Sequence, residues 1–361
     1  MIPGPEILHQ LVGAEVNPLF GIQTNNLSVT ALFDLYERTR FLYPAKRDKL
    51  APVWPTVQSN WQRLRQAGEL LLCSMTVEDE ATGAISCITK WRTSRFGWQI
   101  QHLVSDGNPL GTRAVMTGAI ADAYVSGRDR TYQNWFRPDN RFPARVFGTL
   151  PAVTEAGQAD IHPLRLWNLD RRMTQPACPA GEVHLVRQSS DRTVLGDLTR
   201  RSRGPIWAKI EEFDSDMELD SVNHLYNLVG LSRYRRVWAA TPRGSDHPAM
   251  IAVSYRGPLG MNFSFLENRC ELLVDPDADP QAIAALAPAL LAHAVTAYRD
   301  FELPYIPLVS CGSATRVLTD LGAHWVRDYT QSVWTHEACP TFYHHINNIY
   351  ERFLSRSKDR P

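Results

Sequence analysis

Arginines recur beside aromatic residues in four stretches of this 361-residue chain: YERTRFLYPAKRDK, TYQNWFRPDNRFPAR, LRLWNLDRR and LSRYRRVW. The second stretch presents Trp135, Phe136, Arg137, Asp139, Arg141, Phe142 and Arg145, and the third presents Arg165, Trp167, Asp170, Arg171 and Arg172. A planar guanidinium can stack on a base and make two hydrogen bonds to a guanine O6/N7 edge or to a phosphate. A carboxylate can accept from guanine N1–H and its amino group. Taken as a cluster, these residues suit a dianionic guanine dinucleotide. Taken singly, each arginine is accounted for by a surface ion pair worth ~0–1 kcal/mol, and RPDNR by a turn closed through Asp and Asn.

Other reactive side chains are sparse. Glu78 and Glu80 carry carboxylates able to act as a base, and Tyr329 a hydroxyl able to act as an acid. A solvated turn and amphipathic packing explain them better. Ser310-Cys311-Gly312-Ser313 reads as a strand-to-helix turn with Ser313 as cap rather than as a nucleophile. The histidines have no carboxylate at ligand spacing, and the six cysteines form no CxxC pair, so no metal is expected.

The elements that must carry these residues follow from pattern. Ser28 caps a helix with Leu32, Leu35 and Tyr36 on one face, and TVQSNWQRLRQAGEL is a second helix. LLLCSMTVED, ATGAISCITKWR and GWQIQHLVSD form a strand meander. GNPLGTRAVMTGAIADAYVSG then opens a helix, and TYQNWFRPDNRFPARVFG reads as extended. Proline- and glycine-rich text over residues 151–182 reads as a connection.

A similar order begins again at Val183. Strand VHLVRQ and two helices lead to strands RRVWAATPR, PAMIAVSYRG and MNFSFLENRCELLVD. Next comes a helix capped by Asp279, with Pro280 in its first turn. Strand YIPLVSC, helix SATRVLTDLG and strand WVRDYTQSVWTHE follow. The tail is amphipathic, with Phe342, Ile346, Ile349 and Phe353 on one face. The expected organisation is an arm (1–28), a first domain (29–150), a connection (151–182), a second domain (183–338) and a C-terminal helix and tail (339–361).

Hydrophobic residues make up 44% and charged residues 21%, a composition that folds. Lys+Arg and Asp+Glu are both 38, so no global field draws the chain to polymeric nucleic acid or to a membrane. The opening MIPGPEILHQL lacks the pattern of a signal peptide, and a cytoplasmic protein is expected.

The order of helix pair, antiparallel meander, strand, central helix, strand, helix and final strands resembles the GNAT superfamily of acyl-CoA-dependent N-acyltransferases. It does so twice, over about residues 29–150 and 183–337. The resemblance implies an α/β (α+β) fold of two tandem GNAT-like domains, each a mixed, mostly antiparallel sheet flanked by helices. In that superfamily an Arg/Gln-x-x-Gly-x-Gly/Ala loop holds the pyrophosphate of the acyl-CoA on backbone N–H groups at a helix N-terminus. The first half has Asp106-Gly107-Asn108-Pro109-Leu110-Gly111-Thr112-Arg113 there, with glycines but not the motif. The second has Asp275-Pro276-Asp277-Ala278-Asp279-Pro280, whose carboxylates repel a pyrophosphate.

A tandem GNAT-like chain with both loops degraded resembles the cyanobacterial receptors for cyclic di-GMP that control cell size. That resemblance implies a non-enzymatic signalling receptor without a cofactor. The local chemistry of the Arg, Trp and Asp clusters, rather than an alignment with that family, assigns its ligand to Trp135, Arg137, Asp139, Arg141, Arg145, Arg165, Trp167, Asp170, Arg171 and Arg172 near the inter-domain connection. A protein partner downstream and a homodimer are compatible with it. Two alternatives stay open. One is an N-acyltransferase whose first domain holds acetyl-CoA through Gly107, Asn108, Gly111 and Thr112. The other is an adaptor whose arginine-rich faces contact another protein.

Overall fold

The computed structural model describes residues 21–173, 178, 180–186 and 189–358. Residues 1–20 of the expected arm, and 174–177 and 179 of the expected connection, lie outside the described residues. In chain order the elements begin with β1 (Gln23–Thr24), α1 (Val29–Arg38), α2 (Pro44–Leu50), α3 (Trp54–Gln66), β2 (Leu72–Glu78), β3 (Ile85–Arg92), β4 (Gly97–Ser105), α4 (Pro109–Val125), β5 (Thr131–Phe136) and α5 (Arg141–Val146). They continue with β6 (Ala159–Asp170), β7 (Gly181–Leu185), α6 (Ser189–Ile210), α7 (Asp220–Asn227), β8 (Tyr234–Pro242), β9 (Met250–Arg256) and β10 (Cys270–Val274). The last are α8 (Pro280–Val295), β11 (Tyr305–Ser310), α9 (Thr315–Asp320), β12 (His324–Thr335) and α10 (Cys339–Lys358).

Local chemistry sets the helix starts. Ser28 Oγ accepts from the N–H of Ala31 at 3.1 Å, and α1 then buries Leu32, Leu35 and Tyr36. Asp279 Oδ1 accepts from the N–H of Gln281 at 3.1 Å, with Pro280 in the first turn of α8, where its missing N–H costs nothing.

Contacts gather the described residues into two compact units, each a mixed α/β layer structure. The first holds residues 21–52, Leu64–Ile161 and residues 332–358; the second holds Val53–Arg63 and His162–Gln331. In the first unit β2, β3 and β4 form an antiparallel meander, β1 pairs antiparallel with β2, and β5 runs parallel to β4. In the second, β7, β8, β9 and β10 pair antiparallel in that order, β11 runs parallel to β10, and β6 pairs antiparallel with β11. The helix inserted between the parallel strands is α4 in one case and α8 in the other. The same meander, helix and parallel strand therefore occur twice.

Four features differ from the sequence reading. Part of α3 belongs to the second unit, because Asn60 Nδ2 and Trp61 Nε1 donate to the carbonyls of Leu259 and Gly260 at 3.0 and 2.9 Å. The expected connection contains the twelve-residue strand β6, whose His162, Leu164 and Leu166 alternate inward; the exposed Pro163 between them hid that alternation. The stretch after Phe136 is not extended throughout. Asn140 precedes α5, and its carbonyl accepts from Ala144 N–H at 3.1 Å. The strand expected from Met261 starts only at Cys270, because Phe265 takes φ +60° and a 3₁₀ turn fills residues 266–268.

The tail helix α10 belongs to the first unit, where Phe342 and Ile346 are buried with Trp334 and Phe147. It packs along α4: Arg113 Nε donates to Asn347 Oδ1 at 2.7 Å, and Arg113 lies 3.7 Å from Glu351.

Candidate functional site

In the first unit the chain leaves β4 at Ser105, turns through Gly107 and enters α4 at Pro109. Gly107 has φ +96°, a conformation that side chains disfavour, so the turn requires glycine. The next residue is the helix cap. Asn108 Oδ1 accepts from the N–H groups of Leu110 and Gly111 at 2.9 and 3.0 Å, and its carbonyl accepts from Thr112 N–H at 3.0 Å. Asn108 N–H itself donates to Ser105 Oγ at 3.1 Å, and its side-chain amide donates to Asp79 Oδ2 at 2.9 Å. Gly111 allows α4 to lie against β3, since a Cβ there would stand 2.6 Å from Ser86 Oγ.

The N-terminal donors of α4 are thus spent on the protein itself, and the Asp79 carboxylate lies one hydrogen bond from the cap. Asn108 serves here as the cap of α4. Backbone pairing of β4 with β5 ends at Gln99 and Gln133, and beyond that point side chains bridge the two strands. Gln101 Nε2 donates to the Trp135 carbonyl at 2.8 Å, and Asn134 Nδ2 donates to the Ile100 carbonyl at 2.5 Å.

Beside this loop is a pocket of about 440 Å³, within the range of small-molecule sites. Its walls come from the turn at Gly107–Pro109 and Thr112, from Arg141, Phe142 and Arg145 of α5, and from Ile349, Tyr350 and Phe353 of α10. Arg141 and Arg145 stand one helical turn apart and are exposed. Phe142 and Tyr350 meet edge to face, with centroids 5.9 Å apart, and Phe353 is 54% exposed. Tyr350 is only 4% exposed, yet its hydroxyl has no hydrogen-bond partner among the described residues. Burial pushes its pKa up, so the hydroxyl keeps its proton. The pocket therefore offers two cations and aromatic faces. That combination suits an anion carrying a flat or apolar body.

The ten residues expected from sequence separate. Arg141 and Arg145 line this pocket. Trp135 is buried, its Nε1 donating to Gln133 Oε1 at 3.3 Å, so it offers no stacking face. Arg137 pairs with Asp139 at 3.5 Å on the surface of the same unit. The other five lie in the second unit. Trp167 is buried there, with Nε1 donating to Ser310 Oγ at 3.1 Å. Arg165 donates to Thr315 Oγ1 at 2.6 Å, and Arg171 donates to the Phe301 carbonyl at 2.7 Å. Asp170 closes a turn by accepting from Arg172 N–H at 2.8 Å, while the Arg172 side chain is 85% exposed.

Two of the three arginines of LSRYRRVW, Arg233 and Arg235, serve the interior of the second unit, while Arg236 is exposed. Arg233 pairs with Glu267, and Arg235 with Glu211 at 3.4 Å. Arg269 reaches Glu211 and Glu271 at 3.3 and 3.0 Å, and Arg203 reaches Glu271 at 2.6 Å. Tyr255 Oη donates to Glu211 at 3.0 Å. Burial works to lower the Arg269 pKa, but Glu271, Tyr255 and Glu211 hold it above the usual arginine range. Every member of this network is buried and paired, so it is structural chemistry. Tyr329 is likewise engaged, with its hydroxyl donating to Ser264 Oγ at 2.8 Å.

Four residues of consequence escaped the sequence reading: Tyr350, Glu267, Arg269 and Glu271. Tyr350 lies one turn beyond Ile346 on the apolar face of α10, a spacing that identifies it. The Glu267, Arg269 and Glu271 alternation around the start of β10 was also visible, although the partners it meets were not.

No family model matches the chain, and no curated protein matches it in sequence. Several solved structures resemble it in fold. A tandem GNAT protein from the clavulanic acid biosynthesis pathway aligns with a TM-score of 0.42 and 12% identity, over 88% of this chain and 99% of that one. A putative acetyltransferase from Pyrococcus horikoshii aligns with a TM-score of 0.42 and 10% identity, over 87% and 89% of the two chains. A GCN5-related N-acetyltransferase from Sphaerobacter thermophilus gives 0.39 and 13%, over 73% and 80%. These likenesses say nothing of the chain's chemistry.

Proposed function

We propose that this GNAT-like chain is a non-enzymatic receptor for a phosphodiester nucleotide, with cyclic di-GMP as its ligand, held in the first-unit pocket. The observation that carries the reading is the convergence of Arg141 and Arg145 on one pocket walled by Phe142, Tyr350 and Phe353. The guanidinium groups meet phosphate oxygens, and Phe142 and Phe353 cover a face of the base. Among the described residues that line the pocket there is no histidine or carboxylate to activate a hydroxyl, which favours binding over turnover. The receptor works in the cytoplasm and passes its signal to a protein partner, with no role for a membrane or a nucleic-acid polymer.

A second reading is an acyl-CoA-dependent transferase, favoured by one observation: Gly107, Asn108 and Thr112 line the same pocket at the start of the helix after β4. The Asn108 cap weighs against it, because a pyrophosphate would have to displace that side chain to reach the N–H groups of Leu110 and Gly111.

Isothermal titration calorimetry against cyclic di-GMP, acetyl-CoA and GTP at one salt concentration separates the readings. Saturable binding of cyclic di-GMP alone at micromolar concentration or below supports the receptor. Binding of acetyl-CoA alone replaces it with the transferase, and no binding of any of the three favours an adaptor.

A further inference from the structure

Arg145 lines the pocket from α5, a helix of only 6 residues, and a relay of side chains ties the end of that helix to α10. Thr149 Oγ1 donates to the Arg145 carbonyl at 2.6 Å. A hydroxyl has one hydrogen, so towards His345 Nε2, which lies 3.0 Å away, the same oxygen can only accept. Burial lowers the His345 pKa, which leaves the imidazole neutral at pH 7 with a single N–H. The Thr149 geometry assigns that hydrogen to Nε2. The relay therefore runs in one direction, from His345 to Thr149 to the Arg145 carbonyl. His345 precedes Ile349 by one helical turn, so the relay joins the two helices that wall the pocket. It ends at Arg145 and does not reach Arg141, the first residue of α5.

We propose that His345 is a positioning residue of this pocket, acting through Thr149 to set Arg145 against the bound anion. The proposal rests on the receptor reading and separates the two pocket arginines within it. Arg145 is held by α10, whereas Arg141 depends on α5 alone. Removing the relay leaves α5 folded, because Val146 and Phe147 anchor its end in the core. What is lost is the tether that fixes the Arg145 backbone, and a contact that is less well fixed binds the same anion less tightly.

The test titrates cyclic di-GMP calorimetrically into the full chain and its Thr149→Val, His345→Ala and His345→Gln variants. Thr149→Val and His345→Ala should each weaken binding about twofold to tenfold, the worth of one neutral hydrogen bond. His345→Gln keeps a side-chain N–H and should restore the affinity. Thr149→Val should have no further effect in an Arg145→Ala background and its full effect in an Arg141→Ala background. A merely structural contribution weakens both backgrounds equally. Equal losses in the two backgrounds, a loss in His345→Gln as large as in His345→Ala, or parental affinity in Thr149→Val overturns the assignment and leaves the receptor reading standing. A parent chain that does not bind cyclic di-GMP overturns the receptor reading and this assignment with it.

Discussion

Asn108 Oδ1 accepts the N–H of Gly111 at 3.0 Å, so the start of α4 is closed by its own cap before any ligand arrives. Asn108→Ala removes this bond, the matching one to Leu110 and the link to Asp79. It should lower stability by about 1 kcal/mol, read as a shift in the urea midpoint at constant slope. Asn108→Gly should lose only a few tenths of a kcal/mol. Equal stability of Asn108→Ala and the parent would mean that the cap contributes nothing to α4.

The buried ions of the second unit give a larger effect. Glu271 faces both Arg203 at 2.6 Å and Arg269 at 3.0 Å. Glu271→Gln leaves two buried guanidinium groups short of a carboxylate, and breaking such a pair costs about 3–5 kcal/mol. The expected outcome is early loss of near-UV circular dichroism on denaturation. A change under about 1 kcal/mol would show that water, rather than Glu271, compensates these arginines.

A pH dependence follows from His162. Burial, reinforced by Arg203, holds its pKa down to about 2 in the folded chain, against about 6.5 when unfolded. Below about pH 6.5 the unfolded state binds a proton that the folded state refuses. Stability is therefore complete above that pH and falls as pH drops, by about 1.4 kcal/mol per unit. Denaturation curves at about pH 7.5, 6.5 and 5.5 should show this loss in the parent and a shallower one in His162→Gln. Parallel pH profiles would mean that His162 is protonated in the folded state.

Features encoded by neighbouring residues were legible in the sequence. The caps at Ser28 and Asp279 and the two meanders each depend on a few consecutive side chains, and the repeated element order followed from them. Features encoded by burial were not. Trp135 and Trp167 lie among arginines in the chain, yet each strand turns its indole into an interior where a neighbouring polar side chain accepts its N–H. Arg233 and Arg235 of LSRYRRVW read only as part of an arginine–aromatic stretch, because their carboxylate partners come from the turn after α6 and from around β10. Asn108 entered only the acyltransferase alternative, and its role as a helix cap, which the residue type also fits, was not read. The pocket itself unites a loop after β4 with a helix near the C-terminus, a proximity that no local pattern encodes.

The most direct measurement is the calorimetric affinity of cyclic di-GMP for Arg141→Ala, Arg145→Ala and Arg172→Ala beside the parent. Both pocket arginines are exposed, so their loss should leave the melting temperature nearly unchanged. Losing a charged contact should weaken binding by about 1–3 kcal/mol, roughly fivefold to 150-fold. Arg172, on the surface of the second unit, should bind as the parent does. Undiminished affinity in both pocket variants, or a loss confined to Arg172→Ala, would contradict the assignment of the ligand to the first-unit pocket.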